Sequence, residues 1–235
     1  MNLLDYLRAA IPQDQKHRLR SWHRRYALYR GVRRATACPP HAELPLRVIG
    51  DLVYGWNNEG MAAKREFIRG IVEHSWQTTG PILECGSGLS TLVAGLIARR
   101  TGNHIWSLEH DPVWANRITA TLDNYGIECV TVCLTHLRDF GDYVWYDTSE
   151  LQLPARFSFV ICDGPPGDTR GGRYGVLPEC IDRLDPDCTI ILDDAQRPVE
   201  RAALERWAAE FGTRHEIVGT REMFARIRLP GAHAS

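Results

Sequence analysis

The sequence predicts an α/β domain: a doubly wound, seven-stranded, mostly parallel sheet with a C-terminal antiparallel hairpin, preceded by an N-terminal helical extension. Three observations lead there. Short apolar runs alternate with helix-length segments over residues 76–229, a glycine-rich turn joins the first run to the helix after it, and the last two runs are separated by only a short turn. A chain of 235 residues suffices for one such domain with an extension and falls short of two.

Composition agrees. Hydrophobic residues make up 44% and charged residues 24%, so the chain can bury a core and is neither disordered nor fibrous. The longest uncharged apolar stretch, Cys85 to Ala98, is interrupted by three glycines and is shorter than the roughly 20 residues of a spanning helix, so no transmembrane segment is expected. The start places Asp5 and Pro12 where a secretory leader has its apolar run, so a cytoplasmic location is expected, with peripheral membrane attachment open. The seven cysteines include no CxxC pair and several sit in strand-like runs, which argues for neither a disulfide framework nor a zinc site.

Residues 1–45 read as a basic helical extension and 46–75 as a helical lead-in or lid. Eight Lys/Arg and no acid lie between Asp14 and Glu43, leaving 20 of the 28 basic residues against all 29 acids elsewhere. Leu19, Trp22, Tyr26 and Tyr29 recur at helical spacing inside that run. A packed or homodimer helix, an anionic membrane surface contacted through residues 15–35, and an anionic substrate are its three open readings. Pro39 and Pro40 end it. Residues 61–75 then place Phe67, Ile68, Ile71 and Val72 on one helical face.

The domain proper, 76–235, follows in order: strand PILEC, turn GSGLS, a helix from Ser90 to Arg100, strand HIWSLE, and a helix opening at Pro112. Strand CVTVCL, a loop holding DYVWYD, strand FSFVICD, a helix over Tyr174–Leu184, strand CTIILD, a helix over Val199–Phe211, and strands RHEIVG and MFARIRL complete it.

ILECGSGLST, residues 82–91, carries the most chemistry. In such sheets the first strand-to-helix turn lies at the carboxyl edge, where ligands bind, and glycine lets a ligand approach the backbone. The spacing is GxG without the third glycine of a dinucleotide fingerprint, and the acid Glu84 suits an ammonium group better than a pyrophosphate. Glu109 ends the next strand 21 residues after Gly88, the spacing at which an acid takes ribose hydroxyls. Together they favour an adenosine ligand bearing positive charge. Asp163 ends a later strand, and Asp193 and Asp194 end the next, so three carboxylates reach the same edge.

On ECGSG, on SLEHD and on the strand order, the chain resembles the class I S-adenosylmethionine-dependent methyltransferases, with their Rossmann-like fold, over about residues 76–229. The resemblance implies that Glu84, Gly86, Ser87, Gly88, Ser90 and Thr91 frame the methionine part, Glu109 and His110 the ribose, His136 with Thr135 and Leu137 the adenine, and Asp163 the sulfonium end. His136 stands where many members have an acid. The later motifs look like those of metal-dependent small-molecule and sugar O-methyltransferases, which implies Asp163, Asp193 and Asp194 as Mg²⁺ ligands. That group's second acid is replaced here by Pro165, so the base is open among Asp163, Asp168 and His110.

Trp56, Asn57 and Asn58 in GWNNEGM, Trp145 and Tyr146 in DYVWYD, and Arg173 beside Arg170 in the glycine-rich loop are the expected substrate contacts. Nothing resembles the NPPY-type grip on a base amine, which turns the expectation to a hydroxyl acceptor on a small molecule or glycan and away from nucleic acid. A non-catalytic cofactor-binding or regulatory module docked through the basic helix, and a nucleic-acid methyltransferase or an aminopropyltransferase on the same fold, are the alternatives.

Overall fold

The computed structural model describes residues 12–57 and 63–231. The chain divides into two compact units, one of Met1–Cys38 with Leu44–Ala62, the other of Pro39–Glu43 with Ala63–Ser235.

Among the described residues, the first unit is a helical hairpin. Helix α1, Gln13–Ala37, runs uninterrupted by proline and stops before Pro39, and α2 spans Leu46–Trp56. They approach closely at small residues: a Cβ on Gly55 would lie 2.4 Å from the Leu28 backbone nitrogen, and one on Gly31 3.0 Å from the Leu52 side chain. Arg30 and Arg34 both reach Asp51 across the hairpin. These bonds hold the Asp51 carboxyl below the usual carboxylate range.

The second unit holds the sheet, in the order β3-β2-β1-β6-β7-β9-β8. Its strands are β1 Ile82–Cys85, β2 Ile105–Glu109, β3 Val130–Leu134, β6 Phe157–Cys162, β7 Leu184–Leu192, β8 Arg214–Val218 and β9 Phe224–Arg228. β9 runs antiparallel to both β7 and β8, and the other pairings are parallel. This is the doubly wound sheet with a terminal hairpin that the sequence predicts. Helices α3 (Arg65–Gln77), α4 (Leu89–Thr101), α5 (Pro112–Asn124) and α7 (Pro198–Phe211) connect or flank the strands. Leu89 to Ala98 of α4 are all buried, which fits their almost unbroken apolar character. Asp111 caps α5 by accepting from the Val113 and Trp114 amides ahead of Pro112 in the first turn.

Three local expectations need correction. DYVWYD is not a loop: Val144–Tyr146 forms β5, paired with β4, Leu137–Asp139, in a separate two-stranded sheet. The helix expected over Tyr174–Leu184 is a short α6, Val176–Cys180, followed by one 3₁₀ turn. β7 begins at Leu184, four residues before the apolar run, because Pro186 and its flanking aspartates read as a turn yet continue the extended chain. All seven cysteines are free thiols, and among the described residues no helix is long and apolar enough to cross a membrane.

Candidate active site at the carboxyl edge of the sheet

Register aligns the site. Cys85 pairs with Leu108 on one side and Cys162 on the other, and Cys162 pairs with Leu192. The next residues, Gly86, Glu109, Asp163 and Asp193, therefore emerge in a row at one edge. The strand order reverses between β1 and β6, the switch point at which such sheets bind ligands.

There the first glycine is a packing requirement. Gly86 has φ +89°, and a Cβ on it would sit 2.6 Å from the Gly164 nitrogen. One on Gly164 would meet Tyr146 Oη at 2.5 Å and Gly86 Cα at 2.7 Å. The amides of Asp163 and Gly164 both donate to the Cys85 carbonyl, so the two turns are fastened together. Gly88 differs. Its backbone is extended, and a Cβ there would find only Ser90 Oγ, at 3.6 Å.

Beneath this turn lies Glu84, fully buried. Its Oε2 accepts from Thr91 Oγ1 at 2.6 Å and Ser107 Oγ at 2.5 Å, and Thr91 Oγ1 in turn accepts the Gly88 amide at 2.7 Å. Its Oε1 is buried with no hydrogen-bond partner, as is the nearby Ser90 Oγ. Burial pushes the Glu84 carboxyl up to about 7, against the opposing pull of the Ser107 and Thr91 hydroxyls and of the Ser90 hydroxyl beside it.

Glu109 is buried and saturated. Oε2 accepts from the Ser87 amide and hydroxyl, at 3.2 and 2.6 Å, while Oε1 accepts from the amides of His110 and Asp111. Those are about as many bonds as a carboxylate's four lone-pair sites hold. The His110 ring lies edge-on to Tyr146, with Nδ1 3.2 Å from Glu109 Oε1. Sequence reasoning missed Trp114, whose indole donates to the Ser87 carbonyl at 2.7 Å and fastens the turn from outside. Nothing local marks that contact, because α5 brings the ring back over the loop.

The three aspartates converge, with ligand-type oxygens of Asp163, Asp193 and Asp194 within 4.8 Å of one another. They are not alone. Arg173 is 2% exposed and donates to the Asp163 carboxylate at 3.0 Å and the Asp193 carbonyl at 2.6 Å, with Asp194 at 3.6 Å and buried Glu200 at 3.9 Å. Asp194, in a left-handed backbone conformation that Asp tolerates, also receives Lys64 at 2.8 Å, Gln196 at 2.9 Å and Arg197 at 2.7 Å. Burial works against ionisation of Asp194, but these cations hold it below the usual range. Burial pushes Asp163 up to about 6, opposed by Arg173, and raises Asp193 further, helped by the Asp163 charge.

The remaining expected residues scatter. The loop turns Arg173 inward, onto the carboxylates at the sheet edge. Trp145 and Tyr146 are likewise core side chains on β5, with the Trp145 ring filling the space beside Gly175. Tyr146 Oη is buried without a partner next to Gly164. Asp168 is exposed in a turn outside the aspartate cluster. The His136 side chain is mostly exposed at the end of β3, with Nε2 3.4 Å from Asp147. Trp56 is buried at the end of α2 and Asn57 follows with φ +58°, both in the helical unit, while Asn58 lies outside the described residues.

A search of protein-family models finds none that matches, and a search of curated proteins finds no significant match. Solved structures do match. Cofactor-bound Rv0187 from MTB superposes with TM-score 0.58 and 17% identity over 86% of this chain and 89% of that one. The O-methyltransferase from Bacillus cereus in complex with SAH gives 0.56 and 16% over 87% and 90%. The SAH-bound methyltransferase PaMTH1 of Podospora anserina gives 0.51 and 16% over 93% and 97%. This chain has the class I methyltransferase fold. Identity this low establishes the shared architecture and leaves the chemistry to the site itself.

Proposed function

We propose that the chain is an S-adenosylmethionine-dependent methyltransferase that methylates a hydroxyl oxygen of a small molecule or glycan. The unpartnered, fully buried Glu84 Oε1 beneath a glycine turn carries the reading. An acceptor left bare in the interior costs free energy unless a ligand supplies the donor, and the ammonium of the cofactor's methionine part is such a donor. The open space at the Gly88 Cβ position gives that part room beside the backbone. On this assignment Gly86, Ser87, Ser90 and Thr91 shape the methionine end, Glu109 with His110 takes the ribose, and His136 borders the adenine.

The cofactor, when bound, supplies a methyl group on a sulfonium that accepts a nucleophile. The chain's residues would then hold the acceptor hydroxyl at the sheet edge and receive its proton. Asp163 is the residue assigned to that step. It stands in the row of the cofactor residues, and its raised affinity for a proton suits a base.

Three converging carboxylates are the donors a hard cation takes. The set as folded does not fit Mg²⁺, however, because Asp194 is already bound by Lys64, Gln196 and Arg197 and the buried Arg173 guanidinium lies against Asp163. Calorimetry with S-adenosylmethionine and S-adenosylhomocysteine, each with Mg²⁺ or EDTA, tests the assignment, followed by methyl transfer to a panel of hydroxyl acceptors. Asp163→Asn should keep cofactor affinity within about threefold and abolish turnover. Absence of binding by demonstrably folded protein would overturn the reading.

A further inference from the structure

We infer that α1 is a peripheral membrane-binding element that lies on an anionic bilayer surface, independently of whether the methyl-transfer reading holds. Leu19, Trp22, Tyr26 and Tyr29 are 59%, 65%, 47% and 53% exposed. Spaced three, four and three residues apart, they form one stripe over about three turns. Trp22 and Tyr26 stack with their rings 5.7 Å apart, so the stripe is an ordered apolar ridge. It lies on a different face from Ala27 and Gly31, which are buried in the hairpin with α2. Only Ala27, Gly31 and Val32 of the 25 residues of α1 are buried. A helix gains most of its stability from packing an amphipathic face, and this one presents its aromatic face to solvent.

Charge decides what covers it. Arg18, Arg25 and Arg33 share the face of Trp22 and Tyr29 at intervals of three or four residues, are exposed, and have no carboxylate partner among the described residues. A second copy of the helix laid along the stripe would bring these arginines against the same arginines, a juxtaposition that costs free energy. An anionic headgroup layer neutralises them. Trp and Tyr are the side chains that settle at the headgroup level with the ring inward and the polar tip wet, and flanking Arg reaches phosphates or carboxylates there. Outside the run from Lys16 to Arg34 the acids exceed the bases, so the attraction to such a surface comes from this helix.

The test is co-sedimentation of the full chain with phosphatidylcholine vesicles and with 70:30 phosphatidylcholine:phosphatidylserine vesicles, at low salt and at 0.5 M NaCl. Binding is expected to the phosphatidylserine vesicles alone and to fall with salt. Arg18→Gln with Arg25→Gln should lower it about thirtyfold, from about fivefold per basic residue near such a surface. Trp22→Ser with Tyr29→Ser should also lower it, and because all four positions are surface sites the thermal melt should stay unchanged. Equal binding to both vesicle types, or no change in the variants, would overturn the proposal. So would a concentration-dependent dimer that Trp22→Ser dissociates in velocity sedimentation with no vesicle binding, an outcome that assigns the stripe to a second copy.

Discussion

If Glu84 meets the cofactor's ammonium, cofactor binding must be coupled to a proton. The ligand-free carboxyl sits at about 7, so at pH 6 about nine-tenths of it is protonated, and at pH 8 about one-tenth. An ammonium beside it holds it ionised. Binding should therefore release about 0.9 proton at pH 6 and about 0.1 at pH 8, and affinity should climb about tenfold between them before levelling off. Calorimetry in two buffers of different ionisation heat reads the proton directly. Glu84→Gln should remove the pH dependence and weaken binding by the value of a charge-assisted hydrogen bond, about 1.5–3 kcal/mol or roughly 10- to 150-fold. The same group acts on folding. Because its folded value is raised above the ordinary 4.5, the stability it contributes is complete below about pH 4.5 and is lost as pH rises through about 7, on the order of 3 kcal/mol. Glu84→Gln should thus be more stable than the parent at pH 8 in the absence of ligand. No proton release at pH 6, with an affinity flat in pH, would refute the assignment of Glu84 to the ammonium.

Gly88→Val should leave the melting temperature within about 2 °C and block the cofactor, since its new side chain enters open space, whereas Gly164→Ala should cost about 1–3 kcal/mol by forcing a methyl against Tyr146 Oη and Gly86 Cα; paired melts and titrations separate the two. Arg173→Met should cost about 3–5 kcal/mol in urea unfolding at pH 7, because Asp163 and Glu200 lose their buried countercharge. His74 is held neutral, down to about 4, by burial and by the neighbouring Arg226. With its folded value depressed, the chain should lose on the order of 3 kcal/mol as pH falls from about 6.5 to 4, and His74→Gln, which retains an acceptor for Arg226 Nε, should flatten that part of the curve.

Much of this was legible in the sequence because it is local. β1, the GxG turn and α4 are contiguous, and Glu109, Asp163 and Asp193 each follow an apolar run whose parallel register then aligns them without further instruction. What was not legible depends on distant partners. Lys64 meets Asp194 across 130 residues, and Arg173 looks like a loop cation until Asp163, Asp193 and Glu200 converge on it. Trp145 and Tyr146 mislead for a related reason: a three-residue strand is too short to show its period, so two large buried side chains read as loop aromatics. The closure of Glu109 by Ser87 is a third case. The serine was recognisable as a turn residue, but its capture of an acid on the neighbouring strand depends on the β1–β2 register.

On the proposed assignment, that closure makes the two ribose hydroxyls unequal. Three of the four bonds to the Glu109 carboxylate come from backbone amides, which cannot leave without moving the chain, and one comes from a side-chain hydroxyl that can rotate away. On the proposed assignment, one sugar hydroxyl inherits the place of Ser87 Oγ, and the other has to share an oxygen that is already engaged. Removing the first from an adenosine analogue should cost most of the sugar's contribution and removing the second little, so deoxy analogues of S-adenosylhomocysteine would show which hydroxyl the protein rehearses with its own serine.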